Sequence, residues 1–378
     1  MRRSWWRIRF TDRNGPCSAP DQQPQRPKGD TAAVPRPDGP MTTPRFNNHD
    51  CSLDVVGIGN AIVDVLVQTD DSFLETHGLN KGAMALVDEN QAHALYEASG
   101  SGLETSGGSA ANTLAGLAQL GSRAGFIGRV RNDQLGEIFS HDIRAVGTRF
   151  DTPAAIDGPS TARCLILVTP DAQRTMCTYL GASVQLEPED LDLSMVRDTK
   201  VLYLEGYLWD SPAAKRAFIS AAETCRQSGG QVALSLSDGF CVDRHRDSFL
   251  ELVNGHVDVL FANESEITSL YGTEDFDHAI AQVKGCCHVA ALTRSEKGSV
   301  VLSGDQRWDV PAYKLGDLID TTGAGDLYAG GFLHGYTQGL DLETCGRIGS
   351  LCAGQVVTQL GPRSQVSLQT LVREHLGS

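Results

Sequence analysis

The sequence predicts an α/β fold: a central, mostly parallel sheet flanked by helices, with a small β-sheet lid set apart from it. Three observations predict it. From Leu53 onward, short and almost continuously apolar strands alternate with helical stretches, as parallel strands covered on both faces do. Two segments break that rhythm by alternating apolar with polar residues, the pattern of strands that wet one face. Three glycine turns adjoin a strand or a helix start, which places open backbone at sheet edges, where ligands of α/β folds bind.

Taken in order, residues 54–58 read as the first strand, 109–120 as a helix ended by Gly121, and 124–127 as the next strand. Further strands are expected at 201–204, 232–236, 257–261 and 288–292, separated by helical stretches such as 212–227 and 243–254. A last apolar helix follows Gly325 over 327–333. The interrupting segments are Lys81–Val87 and a hairpin of 161–168 and 174–180 around the turn Thr169-Pro170-Asp171. The lid strands are therefore expected near 81–88 and 161–180, within one large domain over 51–378.

Residues 1–50 differ from everything after them. They hold eight of the fifteen prolines, nine basic residues and no glutamate, too little apolar surface to offset the entropy of ordering. A disordered leader or an over-extended start is expected, with Met41 before Thr42-Thr43-Pro44 as the preferred true start.

A net charge of −15 argues against a nucleic-acid partner, which needs a basic face. No apolar run reaches the roughly 18 residues that span a bilayer, so no membrane partner is expected. Ten scattered cysteines, without CxxC or mixed Cys/His spacing, suggest a reducing cytoplasm and no zinc site.

The most informative segment is Asp320-Thr321-Thr322-Gly323-Ala324-Gly325-Asp326. A Gly-Ala-Gly turn opening an apolar helix aims free backbone N–H groups and a positive helix end at one point, where phosphate binds. Asp326 adds a carboxylate beside that anion site, which is wasteful unless it takes a proton from a group attacking phosphorus. The simplest chemistry needing both is phosphoryl transfer from a nucleotide to a hydroxyl; the plain alternative is an acid in an ordinary first helical turn.

Other motifs keep two readings each. Gly57-Ile58-Gly59 lacks the third glycine of a dinucleotide fingerprint, which would fall at Ile62. Asn60 and Asp64 reach into the crevice beyond the first strand and bind hydroxyl groups, or else they form a solvated turn. Gly107-Gly108 lets a ligand approach the backbone with Asn112 one turn inside the next helix, or is a simple loop. Asn263-Glu264-Ser265-Glu266 follows a strand at the sheet's carboxyl edge. There Glu266 holds Mg²⁺ through water, or merely forms an acidic helix start. Thr293 to Gly298 lines nucleotide phosphates or is a surface hairpin. The Walker A pattern GxxxxGK(S/T) is absent, so any ATP must be held another way.

Together these motifs resemble the ribokinase-like carbohydrate and nucleoside kinases, over nearly all of the chain from Leu53. The heptapeptide at 320–326 is similar to that family's C-terminal signature. Gly107-Gly108 through Gly121, with Phe126-Ile127-Gly128 and Asn132–Gly136, is similar to its N-terminal signature. The resemblance implies Asp326 as catalytic base and Gly323, Ala324 and Gly325 as the anion hole. It implies Asn60, Asp64, Gly107, Gly108 and Asn112 as ligands of sugar hydroxyls, with Asn263, Thr293 and Gly298 along ATP and Glu266 organising Mg²⁺.

Asn60–Asp64, Gly82-Ala83-Met84 and Val357–Arg363 look most like bacterial adenosine-kinase-type members. The activity so implied is transfer of the γ-phosphoryl group of ATP to the 5′-hydroxyl of a nucleoside, adenosine above all. The alternatives are a sugar kinase acting on ribose, fructose or 2-keto-3-deoxygluconate, or a binding protein without catalysis. Asp326 is expected near the reference carboxylate pKa of about 3.9. Phe150 and Tyr179 are the candidates to stack on a base, and a monomer or a homodimer through the lid is expected.

Overall fold

The computed structural model describes residues 42–44, 46, 51–171 and 173–377. The leader expected over 1–50, including Met41, lies almost entirely outside the described residues. Fourteen strands follow in chain order: β1 (Leu53–Ile58), β2 (Ile62–Gln68), β3 (Met84–Leu86), β4 (Leu103–Gly107), β5 (Ala124–Ile127), β6 (Thr148–Phe150) and β7 (Ala162–Val168). Then come β8 (Arg174–Tyr179), β9 (Thr199–Glu205), β10 (Gln231–Ser235), β11 (Val259–Asn263), β12 (Val289–Thr293), β13 (Ser299–Ser303) and β14 (Gln306–Val310).

Nine of them form one sheet in the order β14-β13-β12-β11-β10-β9-β1-β5-β6, parallel except at β13. Strand order reverses around β1, which has β5 on one side and β9 on the other. Such a reversal opens a crevice beyond the strands' carboxyl ends. Side chains alternate along β1 as a pleated strand requires: Val55 enters one apolar core, Val56 and Ile58 the other. Both faces are therefore buried, and the near-continuous apolar strands have their physical reason.

The second sheet runs β3-β8-β7-β2-β4. Its central strand β7 is buried along most of its length, whereas β8 alternates; only β8 keeps the half-wet pattern expected of the hairpin. Asp64, read from the sequence as lying beyond the first strand in the crevice or else in a solvated turn, is part of strand β2. Asp64 sits in the middle of it, opposite Thr105 on one side and Cys164 on the other. The Val-rich alternation over 62–67 was the signal for this strand. The segment after Thr293 is a hairpin, with β12 and β13 antiparallel and Gly298 between them.

One contact brings the two glycine turns together. The helices Ser109–Gln119 and Ala324–Thr337 pack closely because Gly330 faces the carbonyl of Thr113, where a Cβ would stand 2.8 Å from the oxygen. On its other side Gly331 meets the carbonyl of Ile348 in helix Leu342–Val356, again 2.8 Å from where a Cβ would be. The middle helix therefore has no room for side chains at these positions. Gly330→Val should destabilise the protein by roughly 1–3 kcal/mol through overpacking and lower turnover with it, read as a shifted urea midpoint beside a kinetic assay. An unchanged midpoint would mean that the helices are free to part.

Candidate active site

The N-termini of these two helices meet at Asp326. Its Oδ1 accepts from Ser109 Oγ at 2.6 Å and its Oδ2 from Asn112 Nδ2 at 3.2 Å. Two donors fix the carboxylate in one orientation at the floor of a cleft. Desolvation there outweighs both bonds and pushes Asp326 up to about 6, which corrects the ordinary carboxylate value expected from sequence.

The preceding turn is built for an anion. Gly323 caps the helix at φ +79°, and a Cβ on it would strike Pro362 at 2.6 Å, so only glycine fits. The N–H of Ala324 is drawn to Thr321 O at 3.2 Å, whereas no described residue accepts from the N–H of Gly325 or Asp326. Beside Gly325 a Cβ would meet nothing within 4 Å. Two unpaired donors thus face open space at the positive end of a 14-residue helix.

Arg174, from β8 of the small sheet, reaches the same turn. Its Nη1 lies 2.5 Å from Asp320 Oδ2 and 3.3 Å from Thr322 Oγ1, while Nε and Nη2 are buried without a hydrogen-bond partner. A guanidinium with spare buried donors beside unpaired helix N–H groups suits a phosphoryl group.

Asp64, Gly107, Gly108 and Asn112 lie next to this turn, around the start of the Ser109–Gln119 helix. Asp64 lies against Gly107, where a Cβ would be 2.3 Å from its carboxylate, and no described residue donates a hydrogen bond to it. Burial pushes it up to about 6, with Asp326 adding to the rise and Arg363 and Arg174 opposing it. Gly108, at φ +97°, abuts the carbonyl of Asn60.

Asn60 itself is not presented to the cleft. It is buried; its Nδ2 donates to Glu205 Oε1 at 2.7 Å and its Oδ1 accepts from Ser183 Oγ at 2.8 Å. Glu205, fully buried at the end of β9, also accepts from the Ala110 N–H at 2.8 Å. Asn60 and Glu205 therefore anchor the start of the Ser109 helix rather than offer free polar atoms.

Asn263 and Thr293 are register partners at the carboxyl ends of β11 and β12. Glu266 is buried and its two oxygens accept from Asn263 N at 2.9 Å and Nδ2 at 2.7 Å, closing a capping box. Burial pushes Glu266 up to about 7, with Asp238 and Asp326 pressing the same way. Among the described residues no cluster of three metal-ligating side chains occurs. Gly298, at φ +83°, packs on the carbonyl of Val310 and turns the β12–β13 hairpin.

Residues 87–369 match the model of the pfkB family carbohydrate kinases. The chain belongs to the pfkB family. A solved adenosine kinase from Sinorhizobium meliloti is 53% identical, with 85% of this chain and 99% of that one covered, at a TM-score of 0.78. A probable sugar kinase from Rhizobium etli CFN 42 is 49% identical over 86% of this chain and 98% of that one, at 0.79. The adenosine kinase of Saccharomyces cerevisiae is 26% identical over 82% of this chain and 96% of its own. As a member of the pfkB family, the protein is a phosphotransferase with an alcohol group as acceptor and a nucleoside or sugar as substrate class.

One aromatic residue near this site escapes a reading of the sequence. Tyr207, two positions past Glu205, is 45% exposed. Burial, with Asp238, Asp326, Glu205 and Glu266 adding to it, pushes its hydroxyl up. By contrast Phe150 is buried among Phe126 and Phe139, and Tyr179 packs under Arg163; neither is free to stack on a base. An aromatic residue immediately after an apolar strand was the available signal. The site's acids carry the first kinetic consequence. With Asp326 pushed up to about 6 in the free protein, its basic form is complete well above that pH and is lost below it, so kcat/KM should fall about tenfold per unit as pH drops below about 6. A kcat/KM that stays flat down to pH of about 4.5 would contradict the raised value.

Proposed function

We propose that the protein transfers the γ-phosphoryl group of ATP to the 5′-hydroxyl of adenosine, with Asp326 as base. One observation carries the reading: an Asp326 carboxylate fixed by Ser109 and Asn112 borders unpaired helix N–H groups at Gly325 and Asp326. The acceptor oxygen bonds to phosphorus as the bond to ADP's terminal oxygen breaks, and its proton passes to Asp326. A carboxylate is a weak base toward an alcohol, so proton transfer comes late, and positioning with charge stabilisation does most of the work.

Gly323, Ala324 and Gly325 form the anion hole around the migrating group, with the spare donors of Arg174 across from them. Asp64 accepts hydrogen bonds from the ribose hydroxyls, a role its donor-free carboxylate suits, while Gly107, Gly108 and Asn112 shape the same pocket. Asn60 serves that pocket through Glu205 rather than by contact. Asn263, Thr293 and Gly298 border the nucleotide. Glu266, its oxygens already held by Asn263, is a hard oxygen donor that fits Mg²⁺ held through water rather than by direct contact; bound with ATP, the ion would neutralise phosphate charge.

Adenosine is favoured over a simple sugar by apolar surface that a sugar does not need. Tyr207, close along the chain to the buried Glu205, offers a half-exposed ring. On the face of the small sheet that bears Asp64, one register row reads Leu103, Leu66, Ile166, Met176, Met84. A flat base fits between such surfaces. The small sheet then acts as a lid that excludes water from the transfer.

Asp326→Asn should lose roughly a hundredfold or more in turnover while ATP still binds; wild-type turnover would refute the base. Adenosine, inosine, ribose, fructose and 2-keto-3-deoxygluconate, each offered with ATP, identify the acceptor. Tyr207→Ala should raise the KM for adenosine about tenfold and leave the KM for ATP in place. Equal use of ribose by the wild type, with no effect of Tyr207→Ala, would favour the sugar kinase.

A further inference from the structure

Arg363 ends the segment Val357–Arg363, which follows the helix Leu342–Val356. The structure gives the end of that segment a specific position. Gly361 donates to Asp320 Oδ2 at 2.9 Å, Pro362 presses on Gly323, and Arg363 enters the acceptor pocket. Three consecutive residues thus touch the turn, the helix cap and the pocket.

The Arg363 guanidinium uses all three nitrogens. Nε donates to Asn112 Oδ1 at 3.3 Å, Nη1 to Asp142 Oδ2 at 3.0 Å and Nη2 to Ser106 Oγ at 2.8 Å. Ser106 in turn donates to Asp142 from both its backbone and its hydroxyl, so the fork is clamped on two sides. Its side chain is only 16% exposed.

Two consequences follow. An arginine has no acceptor and keeps its protons at any working pH, so only the oxygen of the Asn112 amide can face it. The Nδ2 of Asn112 must then face Asp326, as observed at 3.2 Å. The second consequence is charge: Arg363 is bonded to Asn112 and to Ser106, the residue before the Gly107 against which the Asp64 carboxylate lies, so its charge acts on Asp64.

We propose that Arg363 is a positioning residue for phosphoryl transfer: it orients the Asn112 amide toward Asp326 and supplies the counter-charge that lets Asp64 act as a hydrogen-bond acceptor. The inference rests on the reading of Asp64 as a ligand of the acceptor's hydroxyls. The charged and titratable groups facing Asp64 are Arg363 from the C-terminal loop, Asp326 from its helix, Arg174 from β8 and the neutral Cys164 thiol on β7, pushed up to about 12. Desolvation and Asp326 raise Asp64; the two arginines lower it. Removing Arg363 moves Asp64 further up, so its carboxylate form is lost at higher pH as acid is added.

The test compares wild type, Arg363→Met, Arg363→Lys and Asp64→Asn with adenosine and ATP over about pH 5.5 to 9, beside thermal melts. Arg363→Met should raise the adenosine KM about tenfold near neutrality, shift the acidic limb of kcat/KM for adenosine to higher pH and leave the KM for ATP unchanged. Arg363→Lys restores the charge but not the fork; it should return the limb toward wild type while kcat stays severalfold low. A folded Arg363→Met with the wild-type limb and adenosine KM overturns the proposal. If Arg363→Met does not fold, Arg363→Lys decides, since wild-type kcat in that variant also overturns it. Asp64→Asn separates the two readings. If it leaves the adenosine KM unchanged, the acceptor reading itself fails; if it raises KM while Arg363→Met does not, Arg363 alone is misassigned.

Discussion

The close approach of helix Ala324–Thr337 to helix Ser109–Gln119, through Gly330 and the carbonyl of Thr113, governs the geometry of the cleft. Because the helices nearly touch, Ser109 and Asn112 are within hydrogen-bond reach of Asp326 across more than two hundred residues of chain. The same closeness sets the donor-lined turn at 323–325 next to the glycine pair at 107–108. A larger residue at this contact would separate two turns that each present backbone to a ligand. Catalytic geometry tolerates little looseness of that kind, since misplacement by about an ångström can cost a hundredfold in rate.

Around that contact the carboxylates divide into two kinds. Glu205 and Glu266 are buried and bonded to their own framework, Glu205 to Asn60 and Ala110 and Glu266 to Asn263. Asp64 and Asp326 face the cleft, Asp64 with no donor and Asp326 with two that orient it. Burial raises all four, and a site so rich in acid would repel a polyphosphate if left unbalanced. Arg174 and Arg363 offset it, one at the turn before Asp326 and one beside Ser106 and Asn112. Both arrive on segments outside the large sheet, one on β8 and one on the loop after helix Leu342–Val356. The overall charge of −15 says nothing of this local balance.

Much of the large sheet is legible in the sequence because buried parallel strands are apolar on both faces, and such runs stand out from helices by length. The expected strand at 124–127 has the observed bounds, and those at 201–204 and 232–236 shift by one or two residues. The small sheet is harder to read. Strand β2 hides behind the glycines at the end of β1, and β4, Leu103–Gly107, is polar along most of its length, whereas β3 falls inside the alternating segment expected over 81–87. The reading of Asn60 as a free ligand fails for a different reason. Its neighbour Glu205 is 145 positions away, and no local pattern signals a partner that arrives from another strand.

What the sequence determined by itself is the chemistry that one contiguous segment can encode: a glycine turn, a helix dipole and an acid in the first turn, all within seven residues. Local backbone preferences suffice for that, because the atoms involved are close along the chain. Only the tertiary structure decided which side chains oppose that segment and how they are charged. Asp326 near 6, the spare donors of Arg174 and the fork of Arg363 on Asn112 depend on desolvation and on contacts between distant strands and loops. Those quantities belong to the packed interior, where water is excluded and charges act strongly over short distances.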